Sequence, residues 1–279
     1  MARRGVCVCI WTSLRCTDEA RPTPMNLLLL EAEDFTAPSQ VHLNGRRAEH
    51  VHETLKVHPG QTLRVGRRNG LLGVGTVRHS SRSELTLDVV LTDPPPPRAG
   101  VDVVLAMPRP KALKKVLPAL ASLGVSRIVL LNAAKVEKSY FTSKFLTPEA
   151  VAELLSQGLE QAQDTVAPEV QLAPRFRVFV EDVLPTWEPG SRRLLAHPHG
   201  APPLGSVTFA SAEQRCVIAI GPEGGWVPFE LDLLQAQGFE PFSLGPRTLR
   251  VETVVPYLLG QLQCQRAVAR GPSVSNEVW

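Results

Sequence analysis

Aromatic side chains are scarce: four Trp, two Tyr and nine Phe among 279 residues. That is too few for a protein built to stack successive bases of a single strand. Five cysteines occur, with no CxxC pair and no second half of a zinc site. The body therefore reads as reduced and metal-free. No apolar run approaches the roughly 18 residues a membrane span needs, so a soluble, cytoplasmic protein with no membrane partner is expected. A Walker A loop, a GxSxG elbow and an HExxH helix are also missing. Their absence excludes P-loop nucleotide hydrolysis, α/β-hydrolase chemistry and zinc proteolysis. His50-Val51-His52 has no third partner at metal spacing.

The net charge of +3 says little until it is localised. His42 to Arg82 holds eight Lys/Arg against Glu49 and Glu53, together with five of the seven histidines. Val101 to Phe145 again holds eight Lys/Arg, against Asp102 and Glu137, whereas Leu146 to Val170 has five acids and no base. Segregation of this kind suits an RNA-binding face with a solvated back, and suits ordinary alternating surface charge about as well.

Residues 1–24 look foreign to the fold. Their apolar run, Val6 to Trp11, is shorter than a secretory core, and an Arg-rich start faintly suggests a transit peptide. A natural start at Met25 is the simpler expectation. Four consecutive prolines, Pro94 to Pro97, then mark a boundary, because proline joins neither a helix interior nor a central strand. Before it lie short alternating runs at 62–67, 71–77 and 85–91 with a helix at 46–57, which predicts a small barrel over 25–93. Residues 94–100 form the linker. From Val101 to about residue 265, strands alternate with helices, predicting a mainly parallel sheet in an α/β domain. A helix over 111–123 should end at Gly124, and one over 148–163 should open on Thr147 with Pro148 at its first position. Residues 266–279 read as an aperiodic tail.

Gly70-Leu71-Leu72-Gly73-Val74-Gly75 leads into a strand and not a helix, so a hairpin is the better reading than a dinucleotide loop. The informative segment is the apolar run Cys216 to Ile220 followed by Gly221-Pro222-Glu223-Gly224-Gly225. In open α/β sheets, ligands bind beyond the carboxyl ends of strands, and glycines there let the backbone approach closely. A second Gly-Pro turn stands at Leu244-Gly245-Pro246-Arg247-Thr248-Leu249-Arg250-Val251-Glu252. One such turn is a plain connection. Two, bearing Glu223, Arg247, Arg250 and Glu252, point to a shared pocket.

These two segments together closely resemble the RsmE family, the 16S rRNA uracil-N3 methyltransferases. Val57-His58-Pro59-Gly60-Gln61, Ser122-Leu123-Gly124-Val125, Glu160-Gln161 and His197-Pro198 agree with that family too, and the resemblance spans residues 25–264. It implies a PUA-like N-terminal barrel that grips RNA, then a SPOUT α/β domain with a C-terminal trefoil knot, working as a homodimer in ribosome biogenesis on 16S ribosomal RNA or the assembled small subunit. It also implies S-adenosylmethionine held by three loops, at His197 and Pro198, at Gly221 to Gly225, and at Leu244, Gly245, Arg247 and Leu249. Two departures stand out. Asp164 replaces a usually basic group after Glu160-Gln161, and Lys135, Lys138 and Ser139 stand where an Arg-Ser pair is common.

Uracil N3 must lose a proton before it attacks a methyl group. Glu252 is the candidate for that proton and Arg250 for the charge growing on a uracil oxygen. Arg46, Arg47, Lys56, Arg64, Arg67 and Arg68 are candidates for RNA phosphates. Two other readings stay open: a noncatalytic RNA-binding protein of the same fold, supported by Asp164, and a SPOUT enzyme that methylates the ribose 2′-hydroxyl.

Overall fold

The computed structural model describes residues 27–187, 189–197 and 200–269. The 1–24 extension and Pro198 lie outside the described residues, as does the end of the expected tail.

The first sheet is built from β1 (Leu28–Leu30), β2 (Phe35–Ala37), β3 (Gln40–Asn44), β4 (Thr62–Arg67), β5 (Leu72–Ser80) and β6 (Glu84–Asp93). Its order is β1-β4-β5-β6-β3-β2, antiparallel except for the β1–β4 pair. Alternation sets its inner face: Leu85, Leu87 and Val89 of β6 are buried while their neighbours are not. Ala48 and Val51 of helix α1 (Gly45–Leu55) join the same core. The Gly70 segment is indeed the β4–β5 hairpin, with Arg67 and Leu71 bonded across the turn.

The second sheet contains β7 (Val101–Ala106), β8 (Arg127–Leu131), β9 (Glu169–Ala173), β10 (Arg192–Ala196), β11 (Cys216–Ile220) and β12 (Glu240–Phe242). Its order is β12-β10-β11-β7-β8-β9 and every pair is parallel, as expected from the alternation. β7 and β11 are buried at every position, the signature of central strands covered on both faces. The connecting helices are α2 (Pro110–Ser122), α3 (Pro148–Ala162), the short α4 (Phe176–Val178), α5 (Pro228–Ala236) and α6 (Val251–Ala269). The Thr147 hydroxyl accepts from Ala150 N at 3.3 Å, which caps α3. α3 lies hard against α2 at Gly158, where any Cβ would overlap the Pro118 carbonyl.

Each sheet has its own core, but Leu27, Leu29 and Leu72 of the N-terminal half pack into the cluster of the second. Polar bonds seal the seam. Arg68 pairs with Glu31 at 2.7 Å and donates to Ser156 Oγ at 2.6 Å on α3. The Thr165 hydroxyl donates to Gly70 O at 2.5 Å, and Asn69 N to Thr165 O at 2.9 Å.

Asp164 belongs to this framework. It is 4% exposed, and it holds Arg98 of the proline linker at 3.1 Å. Arg98 also donates to Val166 O at 2.6 Å and to Val125 O. Burial pulls its guanidinium below the ordinary value, and Asp164 opposes that pull. The acid at this position therefore fastens the linker.

The last strand is Glu240–Phe242, and one expectation is corrected. The closing helix does not stop near residue 265 but runs to Ala269, with Arg266 buried at 8% exposure. The polar run Gln263-Cys264-Gln265 hides the periodicity, yet Arg266 falls four residues after buried Leu262, on the same face. Its guanidinium donates to Ala99 O, Gly100 O and Gln214 O.

Asp164→Ala should lower the unfolding free energy by about 2–3 kcal/mol, below the ceiling for a fully buried pair because Arg98 keeps two carbonyl acceptors. Urea denaturation would measure it, with an unchanged midpoint ruling out the anchoring role.

Candidate functional site

Strands β12, β10 and β11 are neighbours in the second sheet, and in a parallel sheet their carboxyl ends lie on one edge. The loops that leave them there enclose a cavity of about 380 Å³. Gly221, Pro222, Glu223, Gly224, Gly225 and Trp226 come from the loop after β11. Leu244, Gly245, Arg247, Thr248 and Leu249 come from the loop after β12, and His197 follows β10. The two Gly-Pro turns thus share one pocket.

Local chemistry explains why the loops hold their shape. Gly225 and Gly245 adopt φ of +72° and +106°, backbone that L side chains rarely enter. Gly225 N closes a turn on Pro222 O at 2.8 Å, and Gly245 N donates to Ser243 Oγ at 3.1 Å. His197 N donates to Phe242 O at 2.9 Å, tying the first loop to the third. Buried Glu230 on α5 accepts from Val227 N at 3.0 Å and from Ala134 N at 2.7 Å. It thereby joins the end of the β11 loop to the segment after β8. From that segment Lys135 Nζ donates to Gly224 O at 2.7 Å.

The walls are apolar below and polar at the mouth. Ile220, Phe242, Val251 and Val254 line the interior, while Glu223 and Arg247 are exposed. The Trp226 indole is buried beside Gly221, where a Cβ would stand 3.0 Å from Nε1, and that Nε1 has no hydrogen-bond acceptor among the described residues. A buried donor without an acceptor on a cavity wall marks a place where a ligand is read. Trp226, Thr248, Val251 and Val254 were not among the sequence candidates. Trp226 could have been found, since it directly follows the Gly-Gly pair.

The other candidates are placed differently. Arg250 and Glu252 are not wall residues. They flank the wall residue Val251 at the start of α6, Arg250 exposed and Glu252 facing Lys115 at 3.9 Å. Of the RNA-binding candidates, Arg46, Lys56 and Arg67 are exposed, and Arg67 lies 5.3 Å from the Phe35 ring centroid. Arg47 binds buried Asp34 at 2.6 Å, Arg64 binds Asp93 at 2.9 Å, and Arg68 is held in the seam. Arg47 serves the fold first, because separating a charge from a buried partner is costly, whereas the Arg64–Asp93 pair is solvent-exposed and readily exchanged. Asp164 does not line the cavity.

Residues 95–263 match the RNA methyltransferase domain family. The chain is 30% identical over 235 residues to ribosomal RNA small subunit methyltransferase E of Treponema pallidum, covering 82% of this chain and 87% of that one. It is 25% identical to ribosomal RNA small subunit methyltransferase E 1 of Borreliella burgdorferi, covering 82% and 93%. Its fold is similar to that of ribosomal RNA small subunit methyltransferase E from Neisseria gonorrhoeae solved with S-adenosyl methionine. The TM-score there is 0.71 at 20% identity, over 86% of this chain and 97% of the other.

Replacing Glu230 with Ala would take the acceptor from two partly buried backbone N–H groups, those of Val227 and Ala134, an expected loss of about 1–3 kcal/mol. Urea unfolding monitored by Trp fluorescence would show it, and a loss under about 0.5 kcal/mol would contradict the role assigned to this carboxylate.

Proposed function

This chain belongs to the RNA methyltransferase family, and on that premise we propose that it transfers a methyl group from S-adenosylmethionine to N3 of a uridine in small-subunit ribosomal RNA. One observation carries the reading: three loops from adjacent parallel strands converge on one cavity, two of them through Gly-Pro turns. Its volume of about 380 Å³ suits a small organic cofactor.

The residues present fit S-adenosylmethionine. Ile220, Phe242, Leu249 and Val254 offer apolar surface to a purine, and the glycine turns offer backbone N–H and C=O groups at close approach. Trp226 Nε1 offers a buried donor. Gly221, Pro222, Glu223, Gly224, Gly225, Leu244, Gly245, Arg247 and His197 would hold the group, with Pro198 continuing the first loop. When bound, the cofactor supplies an electrophilic methyl on sulfur. The chain supplies alignment and proton handling. Glu252 is assigned the N3 proton and Arg250 the charge on the uracil carbonyl oxygen. Both sit beside the cavity wall and not within it, as groups acting on the second substrate would.

The remaining assignments follow the same reading. Residues 25–93 form a PUA-like barrel that grips RNA, with Arg46, Lys56 and Arg67 as its exposed cations. Residues 101–265 form the SPOUT domain, extended here by the last turn of α6, with a trefoil knot at its C-terminus. The path of α6, from Val251 at the cavity to Arg266 beside Ala99 and Gly100, is in keeping with such a knot. The protein works as a cytoplasmic homodimer.

Two measurements test this. Calorimetry should show S-adenosylmethionine binding that Gly245→Val weakens by at least about tenfold, since a β-branched residue is strained at that φ. Absence of binding by the wild type would leave a noncatalytic RNA-binding protein. Nucleoside mass spectrometry of ribosomal RNA from a strain lacking this chain should show loss of 3-methyluridine. Loss of a ribose-methylated nucleoside instead would move the reaction to the 2′-hydroxyl.

A further inference from the structure

The carboxyl edge of the second sheet continues past the cavity to β7 and β8, where the groups have no role in the reaction described so far. The segment after β8 is pinned to the glycine loop twice, by Lys135 Nζ on Gly224 O and by Ala134 N on Glu230. A single helical turn, Lys138–Thr142, follows at once and carries Tyr140. Tyr140 is half-buried against the core, and its hydroxyl donates to Glu137 Oε1 at 3.0 Å. Arg109, which precedes α2 just beyond β7, is exposed. Tyr140 lies within electrostatic reach of both Arg109 and Glu223, the exposed carboxylate on the cavity lip. Desolvation and the Glu137 carboxylate keep its phenol above the usual range.

We propose that Arg109, Glu137 and Tyr140, facing Glu223, form a shelf that receives the target nucleotide and orients its base at the mouth of the cofactor cavity. This rests on the methyl-transfer reading above. Two arguments favour a base as occupant. An aromatic ring with a cation in electrostatic reach suits an unstacked base, and here the ring belongs to one of only two tyrosines in the chain. Uracil presents an N–H flanked by two carbonyl oxygens. A guanidinium donates to such oxygens, or to an adjoining phosphate, and leaves the N–H to Glu252. Lys135 spends one of its three N–H donors on the Gly224 carbonyl. It acts as the hinge pin that sets the shelf against the glycine loop. Arg109, Glu137 and Tyr140 are thus positioning residues for the RNA, while Gly224 links their placement to the cofactor side.

The test uses the full-length protein, S-adenosylmethionine, and small ribosomal subunits lacking the modification. Arg109→Ala and Tyr140→Leu should lower kcat/KM for the subunit by about tenfold or more, while the calorimetric Kd for S-adenosylmethionine stays within about twofold. Tyr140→Phe, which keeps the ring, should retain most of the activity that Tyr140→Leu loses. Should Tyr140→Leu fold poorly, exposed Arg109→Ala decides alone. Unchanged kcat/KM in Arg109→Ala overturns the shelf, as does a fall in cofactor affinity that parallels the fall in turnover. If the wild-type protein binds no S-adenosylmethionine, the methyl-transfer reading itself fails and the shelf with it.

Discussion

All strands of the second sheet run the same way, and the rest of the molecule is arranged around that fact. In a parallel sheet each strand delivers its outgoing loop to one edge. Because β10 lies between β11 and β12, the segments beyond residues 196, 220 and 242 become neighbours although they are far apart in sequence. β7 and β8 continue the same edge. The cavity and the shelf are therefore consecutive stretches of one rim, with Lys135 and Glu230 as the ties between them. Central strands buried at every position resist displacement, so the rim is carried on the least deformable part of the fold.

The N-terminal sheet is not a loosely tethered module. Its first strand feeds leucines into the core of the second domain, and Leu27 N bonds to Glu160 O at 3.0 Å. The Glu160 carboxyl is raised by burial in that seam, with the Leu29 backbone and the Arg47, His50 and Arg68 charges opposing. Three cations that look available in the sequence are used here or nearby to secure geometry: Arg47, Arg68 and Arg98. A sheet secured in this way lets contacts made on it define the register at the cavity rim, without a hinge to absorb error.

Much of this was legible in the chain. The central strands announce themselves as short unbroken apolar runs, and Cys216–Ile220 and Val101–Ala106 lie where the pattern puts them. The Gly-Pro turns pointed to the cavity because few arrangements need two of them after strands. Edge elements were harder. β3 offers only Val41 and Leu43 as inward residues, and β9 is a polar edge strand, so neither shows a periodicity that stands out from loop. Ion pairs were illegible for a different reason. Arg46 and Arg47 are adjacent and alike in sequence, yet one is exposed and the other grips buried Asp34. Only tertiary placement separates a cation that can meet phosphate from one that cannot. The same holds for Asp164, whose departure from the family pattern suggests lost catalysis until its partner Arg98 is seen.

The anchoring of Arg266 bears on how the chain reaches this state. Its acceptors at Ala99 and Gly100 lie 167 and 166 positions upstream, and a third, Gln214, leads into β11. That seat does not exist until β7 and β11 are aligned. The final helix therefore docks as a late event with a large loop-closure cost, and a growing polypeptide must finish most of its sheet before its last turn has anywhere to bind.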